Sequence, residues 1–156
     1  MGRLGLRVLI SEMEQDASIL RQSSENACLR VQEKHSGHLE ACGYELHRFY
    51  NVFEKSLERL CLTFENHFEK KGDYHERLLE RLHLGITEVR PAFIPVTYKN
   101  ILRELQEFRH VFRHAYDLEL RQDRLLELTE HAQTIAKAFP HWVRAFESMV
   151  QADLEN

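Results

Sequence analysis

From Leu39 to Phe68 the apolar residues Leu39, Cys42, Leu46, Phe49, Phe53, Leu57, Leu60, Phe64 and Phe68 recur every three or four positions. A strand alternates with a period of two, so a run of this length in helical step can bury its apolar side only as a long amphipathic helix. A similar stripe precedes it, with Leu6, Leu9, Ile10, Met13, Ala17, Leu20, Ala27 and Val31, and predicts a helix over about residues 4–34. His35-Ser36-Gly37 separates the two, and Lys71-Gly72 is the expected end of the second. Each stripe needs a covering partner, so two long antiparallel helices point to a bundle.

The remainder of the chain supplies the other helices. Asp73 stands where it can cap a shorter helix through Tyr74, Leu78, Leu79 and Leu82, with Gly85 as its stop. Residues 85–95 contain Pro91, Pro95 and several β-branched residues, which predicts an extended connector over the surface. A fourth helix over about 96–115 places Ile101, Leu105, Phe108, Phe112 and Ala115 on one face, and a fifth over about 122–150 is expected to break or kink near Pro140. The expectation is one all-α domain spanning 1–156, an antiparallel helical bundle of about five helices.

Composition narrows the function. The three cysteines, Cys28, Cys42 and Cys61, are odd in number and unpaired in spacing, which argues against a disulfide framework or a zinc knuckle and fits a reducing cytoplasm. Arg3, Arg7 and Glu12 interrupt the apolar start, unlike a signal peptide or a membrane span, so no membrane partner is expected. With a formal net charge of -4, the molecule as a whole does not attract a polyanion; only a local patch can.

Such a patch exists at Phe108-Arg109-His110-Val111-Phe112-Arg113-His114-Ala115-Tyr116, where two arginines, two histidines and a tyrosine occur without an acid. With Arg109 set at zero on a helical wheel, the apolar set falls between about -40° and -120°, while Arg113, His110, His114 and Tyr116 lie near about 40°, 100°, 140° and -20°. The wheel therefore predicts a polar wedge turned away from the core, wide enough to form a groove with a second copy across a two-fold axis. Arginine offers a fixed fork to phosphate and histidine moves a proton near neutral pH, a combination suited to phosphodiester cleavage by general acid–base catalysis. Solvated bundle helices also carry such residues, so spacing alone leaves a plain surface face as the alternative.

Arg109-His110-x-x-x-His114 resembles the motif of the HEPN superfamily, and the longer Arg109-x4-His114-x-Tyr116 is similar to that of HepT toxins. Asp73-Tyr74-His75-Glu76-Arg77-Leu78-Leu79, the Val89-Arg90-Pro91 connector and the stretch from Leu105 to His114 also look like HepT-like sequence. The resemblance implies an all-α homodimer, or a higher oligomer built from it, with a composite site at the interface that cleaves RNA without a metal or other cofactor. In it Arg109 holds the scissile phosphate, His114 assists 2′-hydroxyl attack or protonates the leaving oxygen, and His110 and Arg113 are auxiliaries. DNA, which lacks the 2′-hydroxyl, is excluded as a substrate. The resemblance further implies that Tyr116 receives AMP from a cognate MNT-type nucleotidyltransferase antitoxin, silencing a toxin whose substrate is tRNA or mRNA. The alternative is a non-catalytic helical binding partner or substrate-binding subunit of a nucleotidyltransferase.

Other residues admit two readings each. Tyr50 and Glu54, one turn apart, either approach the groove and orient Arg109 or are a core tyrosine and a surface glutamate. His75 either lines the site or makes a local hydrogen bond. His110 and His114 have the i, i+4 spacing of a metal pair but no HExxH and no third ligand, so no metal is expected. Trp142 beside Pro140 reads as a packing residue.

Overall fold

The computed structural model describes residues 2–66, 69–114 and 117–155. Among them are five α-helices and no strand: α1 (Arg3–Gln32), α2 (His38–Glu65), α3 (Tyr74–Leu82), α4 (Lys99–His114), entered through a 3₁₀ turn at Val96–Tyr98, and α5 (Gln122–Glu155). The two long stripes form α1 and α2, which pack as an antiparallel hairpin. Arg59 meets Glu12 and Asp16, residues as far before the interhelical turn as Arg59 lies beyond it. Gly37, at φ 82°, makes that turn in a conformation only glycine adopts cheaply.

The second helix stops earlier than expected. Asn66 takes the left-handed conformation at φ 56° and donates its backbone N–H to the Leu62 carbonyl, closing α2 at Glu65 rather than near Lys71-Gly72. Asparagine tolerates this conformation and serves as a helix terminator in place of glycine. Asp73 precedes α3 without capping it: its carboxylate instead accepts a hydrogen bond from Arg77 Nε at 2.8 Å. Helix α5 continues through Pro140, so of the break or kink expected there the break does not occur. Buried Phe139, Trp142, Val143 and Phe146 hold the segments on either side of the proline in the core, outweighing one missing backbone bond.

The connector between α3 and α4 does not merely cross the surface. Phe93 is 4% exposed and stands at ring-centroid distances of 5.8 Å from Phe139, 5.7 Å from Phe146 and 6.1 Å from Trp142. Arg90, also buried, donates Nε to Glu65 at 2.8 Å and its Nη atoms to the carbonyls of Leu84, Pro91 and Arg81. This arginine ties the connector to the end of α2 and thereby fixes where α4 begins. At the other end of α4, Gly43 of α2 admits the Phe112 ring, because a Cβ there would stand 2.7 Å from it.

Candidate functional site

Helix α4 is rotated from the wheel expected of it. Its fully covered residues are Leu102, Leu105 and Arg109, whereas Ile101, Phe108 and Phe112 are only half-buried. Arg109, placed by the sequence pattern on the outward wedge, is therefore buried, at 8% exposure, while His110, Arg113 and His114 are exposed. The reason is that α2 and α3 supply polar partners under α4, so the inward line of the helix ends on a guanidinium instead of an aliphatic residue. Tyr116 lies outside the described residues.

Three elements build the surroundings of Arg109. From α2, Asn51 Oδ1 accepts from Arg109 Nε at 2.7 Å, and one turn on, Glu54 Oε1 lies 3.9 Å from Nη1. Glu54 is 5% exposed, so the expectation of a surface glutamate fails and the alternative, that it reaches Arg109, holds. From the first turn of α3, His75 places Nδ1 2.8 Å from both Glu54 oxygens. Its hydrogen bond is thus long-range in sequence, joining α3 to α2. The Nη2 donors of Arg109 and the Nε2 atom of His75 have no hydrogen-bond partner among the described residues.

Those two side chains line one cleft of about 360 Å³, together with Glu76, Gln106, Glu107 and His110. A larger groove of about 520 Å³ runs beside Phe108, Val111, Leu118 and Leu125, but it has no histidine in its lining. His110 and His114 sit ring to ring at 4.8 Å on the exposed face, outside the network under Arg109. A single chain therefore joins Arg109 to Asn51, Glu54 and His75, and not to His114.

Neighbouring titrations follow from this charge arrangement. Burial, then Arg109 and Arg113, hold the His47 imidazole below its usual pKa, keeping it neutral where it approaches Asn51 and packs on Phe112. Tyr50 is a core residue: burial first and Glu54 second push its hydroxyl well above the ordinary range, against the opposing pull of Arg109. It stays a neutral phenol. Elsewhere, Glu104, Glu127 and His131 bring ligand atoms within 4.8 Å of one another, but Arg124 already pairs with both carboxylates, at 3.8 and 2.9 Å. This cluster is a surface ion-pair network, and Trp142 is the packing residue expected, covered by Tyr98 and Phe93.

The sequence pattern missed Asn51 entirely and left Glu54 and His75 open, since contacts between α2, α3 and α4 span between 21 and 58 positions. The available clue was the i, i+3 pairing of Asn51 and Glu54 on an otherwise apolar stripe.

An all-helical domain with a buried arginine opening an Arg-His-x3-His motif is of the HEPN type. The model of a family described as HepT-like protein matches residues 41–150, and the chain belongs to that family. The match covers Asn51, Glu54, His75 and the whole motif to Tyr116, and leaves out all of α1. No curated protein and no solved structure matches the chain. Among the described residues, no helix is long and apolar enough to cross a membrane.

Proposed function

We propose that this protein is the endoribonuclease toxin of a toxin–antitoxin module and acts as a homodimer on tRNA or mRNA. The observation that carries this reading is the state of Arg109: a guanidinium held by Asn51 and facing Glu54, with Nη2 donors that have no partner among the described residues, on a cleft wall. A fixed arginine with spare donors is suited to the non-bridging oxygens of a phosphodiester and to the charge that builds there during cleavage. Its preorganisation costs nothing at the moment of reaction, because Asn51 and Glu54 fix it beforehand.

His114 completes the site from the partner subunit, since within one chain it lies on the exposed face away from the Arg109 network. Attack by the ribose 2′-hydroxyl requires no metal, leaves DNA uncut, and yields a 2′,3′-cyclic phosphate and a 5′-hydroxyl. His110 and Arg113, exposed on the same helix, contribute positive charge and hydrogen bonds to the RNA strand. Tyr116 is the site at which the cognate nucleotidyltransferase antitoxin adds AMP, and the added negative charge, two positions along the chain from His114, opposes RNA binding.

Cleavage of end-labelled tRNA and mRNA in EDTA tests the reading. Wild type cuts and His114→Ala does not; equal rates, or no cutting by either, remove it. Mass measurement after incubation with the nucleotidyltransferase and ATP finds one AMP on wild type and none on Tyr116→Phe.

A further inference from the structure

The pair formed by Glu54 and His75 gives the cleft a second chemical capability. An ionised carboxylate only accepts hydrogen bonds, so with both Glu54 oxygens 2.8 Å from His75 Nδ1, that nitrogen carries the hydrogen. In the neutral ring the lone pair then resides on Nε2. Nε2 has no hydrogen-bond partner among the described residues, and the ring lines the cleft beside Arg109. A buried carboxylate that fixes the tautomer and orientation of a histidine is the arrangement by which proteins make a general base. His110, the other histidine on this cleft, is exposed and has no orienting carboxylate among the described residues.

We propose that His75 is the general base of the reaction, removing the ribose 2′-hydroxyl proton, with Glu54 as its positioning residue; this rests on the ribonuclease reading above. As Nε2 takes the proton, the 2′-oxygen forms its bond to phosphorus and the bond from phosphorus to the 5′-oxygen breaks. The departing 5′-oxygen takes a proton from His114 of the partner subunit. His75 then loses its proton to water and His114 regains one, so both return to their starting states. Arg109 Nη2 holds the phosphate oxygen on which charge accumulates. The charged and titratable groups around His75 are Glu54 from α2, Glu107, Arg109 and His110 from α4, Tyr74 and Glu76 on α3 itself, and Asp73 just before it.

The division of labour is tested with two RNA substrates, an ordinary one and one with a bridging sulfur in place of the 5′-oxygen, whose thiolate leaves without protonation. Against wild type, His75→Ala and His75→Gln are expected to lose about 10²–10⁴-fold on both substrates, the range for removal of a general base. His75→Gln retains an N–H for Glu54, so its thermal unfolding serves as the control for a fold intact at the site. His114→Ala is expected to recover on the sulfur substrate, and added imidazole to restore His75→Ala at least tenfold without affecting His75→Gln. His75 variants at the wild-type rate overturn the proposal while leaving the ribonuclease reading standing, and so does a loss that imidazole does not restore. Wild type that fails to cut either substrate removes both.

Discussion

Two arginines are buried in this bundle, and they are buried for different ends. Arg90 has a fully covered side chain, and all three of its nitrogens are engaged, Nε on Glu65 and the Nη atoms on three backbone carbonyls. Arg109 is nearly as covered, yet only Nε has a short hydrogen bond, Nη1 stands 3.4 Å from His75 Nδ1 and 3.9 Å from Glu54, and Nη2 has no partner among the described residues beside a cleft. Burial marks both as costly to desolvate; saturation separates them. The saturated arginine is a clamp between the connector and α2, and the unsaturated one keeps donors that no described residue takes up, as the proposed phosphate-binding role requires.

The comparison makes predictions of graded size. Arg90→Met leaves the nearly buried Glu65 with only the half-exposed Arg81 as a cation and takes away the donor shared by the Leu84, Pro91 and Arg81 carbonyls, and is expected to cost about 3–5 kcal/mol in urea unfolding, while cleavage per folded molecule is unchanged. A loss of less than about 1 kcal/mol would mean that Arg90 is no clamp. Arg109→Ala should show the reverse, a fall in cleavage of about 10²–10³-fold, equal to about 2.7–4 kcal/mol of transition-state stabilisation. Its unfolding free energy should drop by less than that of Arg90→Met, since Glu54 retains the hydrogen bond from His75. Should Arg109→Ala instead unfold the protein as readily, the two arginines would be alike.

A smaller effect is expected one step out. Asn51→Ala removes the hydrogen bond to Arg109 Nε and should slow kcat about tenfold, near 1.4 kcal/mol, with KM less affected because Glu54 keeps the guanidinium in place. A change confined to KM would place Asn51 in binding and not in preorganisation.

The smallest effect concerns pH. The unfolded chain binds a proton on His47 near pH 6.5, but the folded chain binds it only at lower pH, because burial, Arg109 and Arg113 disfavour the cation. The unfolded state therefore holds more protons just below pH 6.5, and stability present above that pH is lost as the pH falls through the window. His47→Gln should flatten the decline of urea midpoints below pH 6.5, and an unaltered slope would show that His47 does not contribute.

The legible parts of the fold were the long periodic ones. The apolar stripes specified α1, α2 and the placement of α3, α4 and α5, since a helix in water requires one buried face whatever it packs on. The left-handed Asn66, the inward turn of Phe93 and the continuity of α5 through Pro140 were not legible, because each depends on what a neighbouring element offers. At the site, the motif from Arg109 to His114 stood out by composition, but its orientation did not. An apolar count over the helix puts Phe108 and Phe112 at the centre, whereas α2 and α3 present Asn51, Glu54 and His75 and draw Arg109 inward.

The sequence by itself determined an all-α bundle and the basic motif on its fourth helix, because helical periodicity and residue chemistry are local properties. Only the tertiary structure decided which of the motif's residues is buried and which histidine a carboxylate orients. Those depend on polar groups distant in the chain meeting at fixed distance in a site where water no longer satisfies them.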